Sequence, residues 1–322
     1  MKHILLIGLG GTIVCSSSKE GLIPKYSLEY LLSKEPKIKQ LAKVDAIQLM
    51  KRTIVYPKDW IKLAKFIGKS LNKFDGFVVT MGTDTLSYTS SMLSFMLGGI
   101  NKPVVITGAM ISIENINSDA KKNLSDSILF ACEGYGGIYV VFNGKVINGC
   151  RASKVNSNSV AAFESINFPY FAEIKDGKKI ICNHKSKNKE SNLVLDTKIN
   201  TNVINVKLNP QISKVFFNQN ANYKAFIIEG YGDGNISDNL TSVIIKLIRN
   251  KKIVVLASQC PYGKADHKYK GGHLAIRNGA ISSKDMTKES ALTKLMWCLG
   301  KTINSEKIKE LMHRNFCGEI TE

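Results

Sequence analysis

The sequence is poor in features that would point to particular classes of protein. Its 322 residues include only five histidines, and the seven cysteines are scattered without a C-x-x-C pair. Disulfide frameworks and zinc sites both depend on such spacings, so neither is indicated, and we expect no metal and no cofactor. Unpaired cysteines in odd number are typical of a reducing cytoplasm.

Long apolar runs are also missing. The amino-terminal run Ile4 to Leu9 is shorter than the apolar segment of a secretory signal. No later stretch approaches the roughly 18 apolar residues of a membrane-spanning helix. We therefore expect a soluble, unprocessed, cytoplasmic protein with no membrane partner.

Arginine is scarce although the net charge is +19. Only five of the 45 basic residues are arginines, which leaves 40 lysines. Faces that bind nucleic acid usually recruit arginine, because its planar fork matches phosphate geometry. The densest lysine group, Lys185, Lys187 and Lys189, is typical of a solvated loop. A general lysine bias explains the charge better than a nucleic-acid face, so we expect no nucleic-acid partner.

What the chain does contain is enough apolar sequence for two domains. Hydrophobic residues make up 44% of the chain, and short apolar runs alternate with amphipathic stretches, which predicts an α/β protein with a largely parallel sheet. Lysine, asparagine and serine dominate from 175 to 202. We predict an N-terminal catalytic domain at 1–198, a linker at 199–210 and a C-terminal α/β domain at 211–322.

Two Gly-Thr turns organise the N-terminal half. The run Ile4 to Ile7 leads into Gly10-Gly11-Thr12, and the run Phe77 to Thr80 leads into Gly82-Thr83-Asp84-Thr85. Both patterns predict a buried strand that ends in a tight turn. Because ligands bind at the carboxyl ends of parallel strands, the two hydroxyls are expected at one edge of a sheet.

Each turn has an ordinary structural explanation as well. The glycines from Gly8 to Gly11 suggest a dinucleotide fingerprint, but Ile13 occupies the place of its third glycine. Thr83 and Thr85 are also suitable caps for a helix, and Asp84 suits its N-terminal dipole. These explanations do not account for two matching turns.

Several segments in this order resemble the bacterial L-asparaginase family, and the resemblance covers nearly the whole chain. They are Gly10-Gly11-Thr12-Ile13, Gly82-Thr83-Asp84-Thr85, Gly108-Ala109-Met110, Ser118-Asp119-Ala120, Asn148-Gly149 with Arg151 and Lys154, Gly232-Asp233-Gly234-Asn235, Ser258-Gln259-Cys260 and Asp285-Met286-Thr287. The last two resemble the cytoplasmic type I branch. The resemblance implies a two-domain asparaginase-like fold, with a larger N-terminal mixed sheet, a smaller C-terminal parallel sheet and helices on both faces.

The resemblance also implies a reaction, the hydrolysis of L-asparagine to aspartate and ammonia. Thr12 is the implied nucleophile, and Thr83, Lys154 and Asp84 form the implied proton relay. A threonine hydroxyl needs a neighbouring base, and a lysine serves as one only where burial or another cation lowers its pKa. The implied substrate contacts, which include backbone N–H groups for the oxyanion, are at Gly11, Gly82, Thr83, Asp84 and Ala109.

Three positions depart from the family pattern. Leu22 replaces a lid tyrosine, so a hydroxyl near the nucleophile is missing unless Tyr26 takes its place. Arg52 replaces a serine that binds the substrate carboxylate, either as a solvent-facing side chain or as a bidentate clamp, and Thr53 is a second source of the lost hydroxyl. Met81 replaces a histidine. These departures affect the choice of substrate and leave the nucleophile and relay intact.

Two alternatives to asparagine hydrolysis therefore stay open. One is an amidohydrolase of the same mechanism that acts on a different amide, such as a peptide-linked or tRNA-linked one. The other is a catalytically inactive relative that senses or binds a ligand. In either enzymatic case we expect a small-molecule amide substrate and a homodimer or homotetramer.

Overall fold

The chain folds into two α/β units, at Met1–Thr197 and Lys198–Glu322. The computed structural model describes residues 1–183 and 192–321. The lysine group at Lys185, Lys187 and Lys189 lies outside the described residues. Among those residues, every helix falls short of the length and apolar character needed to cross a membrane.

The first unit contains fourteen strands and five α-helices among the described residues. The strands are β1 His3–Gly8, β2 Cys15–Ser18, β3 Gly21–Pro24, β4 Lys43–Gln48, β5 Gly76–Thr80, β6 Leu97–Gly98, β7 Pro103–Thr107, β8 Gly137–Phe142, β9 Lys145–Asn148, β10 Ala152–Lys154, β11 Phe163–Ser165, β12 Ala172–Lys175, β13 Lys179–Cys182 and β14 Val194–Leu195. The helices are α1 Leu28–Ser33, α2 Ile38–Leu41, α3 Pro57–Ser70, α4 Leu86–Met96 and α5 Ala120–Cys132.

Eight of these strands form one mixed sheet. Its order is β4-β1-β5-β7-β8-β9-β12-β13, in which the first five strands run parallel and the last three pair antiparallel. The mixed sheet predicted for the N-terminal domain is confirmed. Strands β1 and β5 are direct neighbours in register, with Gly8 opposite Thr80, so the turns that follow them leave the same edge of the sheet.

The central strands are buried on both faces. Ile4 and Leu6 of β1 pack in a core with α5 residues Leu124 and Ile128. Because side chains alternate along a strand, the equally buried Leu5 faces the other side. On the sheet, α4 packs against β7 and β8. A strand buried on both faces reads as a continuous apolar run, which is why β1 and β5 could be identified from sequence.

The second unit carries a separate parallel sheet. Its elements are β15 Val203–Lys207, α6 Lys214–Gln219, β16 Ala225–Gly230, α7 Asp238–Arg249, β17 Ile253–Ser258, α8 Lys270–Arg277, β18 Ile281–Ser282, α9 Lys288–Lys301 and α10 Ser305–His313. The four strands pair in the order β15-β16-β17-β18, all parallel. The smaller parallel sheet predicted for the C-terminal half is confirmed. The predicted linker at 199–210 contains β15, so this stretch belongs to the second sheet.

Candidate active site

The first Gly-Thr turn follows β1 and touches the second through its backbone. Gly10 and Gly11 have φ angles of 114° and 86°, which side chains rarely allow. A Cβ on Gly11 would lie 2.2 Å from the backbone nitrogen of Gly82. Glycine at this position therefore lets the two turns meet. Thr12 comes next and begins a short 3₁₀ helix, Thr12–Val14, and its hydroxyl makes no hydrogen bond to any residue that the structure describes.

The second turn connects β5 to α4 through a 3₁₀ helix, Thr83–Thr85. The side chains of Thr83 and Asp84 differ in exposure. Thr83 is buried, whereas the Asp84 side chain is 72% exposed. The turn therefore presents a sheltered hydroxyl beside a carboxylate that solvent or a ligand can reach.

Lys154 reaches this turn from the end of β10. Its strand pairs with β11, with Lys154 opposite Phe163, and its side chain is 20% exposed. The Lys154 Nζ donates a hydrogen bond of 2.8 Å to Thr83 Oγ1 and lies 2.7 Å from Asp84 Oδ1. The structure thus brings together three of the four residues predicted to be catalytic, over about seventy positions of sequence.

This arrangement allows a proton to pass between a threonine hydroxyl and a lysine amine. The hydrogen bond from Lys154 to Thr83 is within the range that proton transfer requires. The exposed Asp84 can bind a cationic group while its pairing with Lys154 orients that amine. The Thr12 turn abuts the Thr83 turn, but the structure does not join the two hydroxyls by a hydrogen bond.

The third turn follows β7 and packs behind the second. A Cβ on Gly108 would lie 2.5 Å from the Met81 carbonyl oxygen and 3.4 Å from Thr83 Cγ2. Ala109 is 1% exposed. The Met81 N–H also donates to the Thr107 carbonyl at 3.0 Å. The position of the third turn is therefore coupled to that of Thr83.

The segment from 52 to 55 lies against both turns. The Arg52 N–H donates to the Leu9 carbonyl at 2.7 Å. The Thr53 carbonyl oxygen would lie 2.2 Å from a Cβ on Gly82, so it also requires glycine there. The Val55 N–H donates to Thr85 Oγ1 at 3.2 Å. The backbone of the two predicted substrate contacts, Arg52 and Thr53, therefore borders the site.

The side chain of Arg52 is tied at one end by an acid that the sequence analysis missed. Arg52 Nε lies 3.5 Å from Asp59 Oδ2, and the exposed fractions of the two side chains are 40% and 7%. The same Asp59 oxygen accepts the Tyr56 N–H at 3.0 Å. An acid three positions after Tyr56, in the first turn of a helix with proline at its start, was the available signal. Among the described residues, the terminal guanidinium nitrogens have no hydrogen-bond partner.

Tyr26 is held close to the Thr12 turn. Its N–H donates to the Val14 carbonyl at 2.9 Å, and its ring stacks on Tyr30 at 4.7 Å between centroids. Leu22 lies on the β2–β3 hairpin opposite Ser17 and is 50% exposed. The structure therefore places the phenol of Tyr26 against another aromatic ring.

Cys15 stabilises the backbone next to Thr12. Its thiol donates to the Gly11 carbonyl at 3.1 Å, and burial raises the pKa of this thiol. The sequence suggested only a small apolar filler at this position. The protonated thiol instead closes the turn that carries Thr12.

The comparisons with known proteins agree with this geometry. The family model described as Asparaginase, N-terminal matches residues 3–188, and that of the Glutaminase/Asparaginase C-terminal domain matches residues 202–312. The L-asparaginase of Thermococcus kodakarensis is 38% identical, over 99% of both chains. A glutamyl-tRNA(Gln) amidotransferase subunit from Pyrococcus abyssi is 34% identical, over 100% of this chain and 77% of that one.

Solved structures give the same result. The thermostable L-asparaginase from Thermococcus kodakarensis superposes with a TM-score of 0.93 at 37% identity and covers 99% of each chain. L-asparaginase I from Vibrio cholerae superposes with a TM-score of 0.87 at 28% identity and covers 100% of this chain and 99% of its own. With both domain families matched in order and a relative of this identity along its whole length, the chain belongs to the asparaginase family.

Proposed function

We propose that the protein hydrolyses L-asparagine to L-aspartate and ammonia through an acyl-enzyme on Thr12. The observation that carries the proposal is the contact of Lys154 with Thr83 and Asp84 at the edge where the Thr12 turn arrives. The similarity to proteins named L-asparaginase supports the choice of substrate.

The proposed reaction has two halves. In the first, Thr12 Oγ1 attacks the side-chain amide carbon, and its proton passes to the Thr83 and Lys154 relay as the C–O bond forms. The relay returns the proton to the amide nitrogen when the C–N bond breaks and ammonia leaves. In the second half, water loses a proton to the same relay, attacks the ester carbon and releases Thr12. Backbone N–H groups near Thr83 and Ala109 stabilise the oxyanion.

A direct assay tests the proposal. Purified protein is incubated with L-asparagine, L-glutamine and a panel of related amides, and released ammonia is measured. We expect release from asparagine. No release from any member of the panel contradicts the proposed function.

A second candidate is an amidase that acts on an amide carried by tRNA. The observation that favours it is the similarity to the glutamyl-tRNA(Gln) amidotransferase from Pyrococcus abyssi along the full length of this chain. The two candidates differ in one charge, because a free amino acid has an ionised α-carboxylate, whereas in an aminoacyl-tRNA that group is esterified.

Arg52→Met distinguishes the two candidates. With Nε held by Asp59, the terminal guanidinium nitrogens are available to bind a carboxylate. We expect kcat/KM for asparagine to fall about 10- to 100-fold, mainly through KM, because a charge-assisted contact is lost. Turnover of the asparagine α-methyl ester should stay within about threefold, since the ester has no charge to pair. Steady-state ammonia release from both substrates measures the effect.

Lys51→Met is the matched control, because it removes an exposed positive charge from the neighbouring position. It should leave both substrates unaffected. If Arg52→Met leaves asparagine turnover unchanged, the guanidinium does not bind the carboxylate, and the esterified substrate becomes the better candidate.

A further inference from the structure

The third turn is held by a buried carboxylate that the proposed reaction does not use. Asp119 is 9% exposed and is the N-cap residue of α5. Its Oδ1 and Oδ2 accept the Met110 N–H at 3.1 and 3.0 Å, and Oδ1 accepts the Ile111 N–H at 3.0 Å. The side chain makes no capping bond to the backbone of its own helix. It is therefore turned toward the third turn.

Asn123 completes the same contact from the first turns of α5. It is fully buried, and its Nδ2 donates to the Gly108 carbonyl at 3.1 Å and to Asp119 Oδ2 at 3.0 Å. Its Oδ1 accepts the Asn143 N–H at 2.9 Å. Every polar atom of this side chain is engaged, so its orientation is determined.

These bonds leave the peptide groups of one residue without a partner. Gly108, Met110 and Ile111 all bond to α5 or to the segment before it, since Ser118 Oγ donates to the Ile111 carbonyl at 2.9 Å. In the part of the chain that the structure describes, the N–H and C=O of the buried Ala109 have no hydrogen-bond partner. Buried peptide groups are rarely left unsatisfied. One donor and one acceptor match the needs of a primary amide.

We propose that Asp119 and Asn123 are positioning residues that hold the turn 108–111 so that the peptide groups of Ala109 face the reacting amide. This inference rests on the proposed function. Gly108 also packs against Met81 and Thr83, so the same contact sets the distance between Ala109 and the relay.

The choice of a carboxylate at position 119 has a physical reason. An ionised oxygen pair accepts several N–H groups at once and forms stronger hydrogen bonds than a neutral side chain. The N-terminus of α5 favours negative charge at this point. An isosteric amide would turn a donor toward N–H groups, which leaves at least one of them unsatisfied.

Asp119→Asn is the principal test. We expect kcat for asparagine to fall about 30- to 100-fold, because small displacements of oriented groups cost rate steeply. KM should change less than about threefold, since Ala109 acts on the reacting amide and not on the charged ends of the substrate. Hydrogen exchange should show faster exchange of the Met110 and Ile111 amides in the variant.

Asp126→Asn is the matched control. Asp126 is another buried carboxylate of α5, two turns later, and it pairs with Lys122 instead of with the turn. It should cost stability and leave kcat unchanged. Ser118→Ala, which removes only the bond to Ile111, is a milder variant in case Asp119→Asn fails to fold. It should lower kcat a few-fold in the same direction.

Two results overturn the proposal. One is faster exchange at 110 and 111 with an unchanged kcat in Asp119→Asn or Ser118→Ala, and the other is an equal loss of kcat in Asp126→Asn. A wild-type protein that releases no ammonia contradicts the proposed function instead. The exchange measurement then still decides whether Asp119 holds the turn, and unchanged exchange in Asp119→Asn rejects that contact.

Discussion

Thr12→Ala is expected to lower kcat for asparagine hydrolysis by at least about 10⁴-fold, because removal of a nucleophile removes the covalent route altogether. Asparagine binding should persist, since the backbone of the turn is unaltered. The measurements are single-turnover ammonia release and substrate binding by calorimetry. An acid quench of the wild type during turnover should yield an acyl adduct on the peptide that contains Thr12.

Two variants define this result. Thr12→Ser retains an attacking oxygen and should keep activity within about 100-fold of wild type. Ser16→Ala removes a nearby hydroxyl that donates only to the Ser17 carbonyl, and it should have no effect. If Thr12→Ala keeps more than about a tenth of the activity, or the adduct lies on another residue, Thr12 is not the nucleophile.

Lys154→Met is expected to lower kcat about 10³-fold, within the range that a positioned general base contributes. The reason is the loss of the amine that contacts both Thr83 and Asp84. Lys154→Arg keeps a positive charge beside Asp84 but cannot release a proton at accessible pH. We therefore expect no rescue by arginine. The kcat of both variants across a range of pH, with substrate saturating, measures the effect.

Lys122→Met is the control for this series, because Lys122 also pairs with a carboxylate, on α5, outside the proposed relay. It should leave kcat unchanged. Recovery of activity in Lys154→Arg would show that the residue acts only through its charge. The proton route through Thr83 would then be rejected.

The turns of the candidate site could be predicted from sequence because each one joins a buried strand to a glycine. The apolar run of β1 and that of β5 have no other plausible place than the middle of a sheet. Parallel pairing then brings their carboxyl ends to one edge. The contact of Lys154 with Thr83 came from the family resemblance and not from any local pattern, since one lysine among 40 carries no signal of its own.

The side chains that surround the turns could not be predicted in the same way. Nothing local indicates that Asp59 faces Arg52 or that Tyr26 stacks on Tyr30. Both contacts depend on where α1 and α3 lie once the sheet has formed. The stretch 199–210 was predicted as a linker because polar residues dominate the sequence before it, but it contains a strand whose partner, β16, comes some twenty residues later.

The adjacency of β1 and β5 has a consequence for how activity appears during folding. The strands that carry the two threonine turns are separated by α1, β4 and α3, and the lysine that completes the cluster is 71 positions beyond its threonine. Contacts of such long range form late, after local helices have appeared. Ammonia release should therefore return after the far-ultraviolet signal when the denatured chain is diluted into buffer, which makes the enzyme its own indicator of completed assembly.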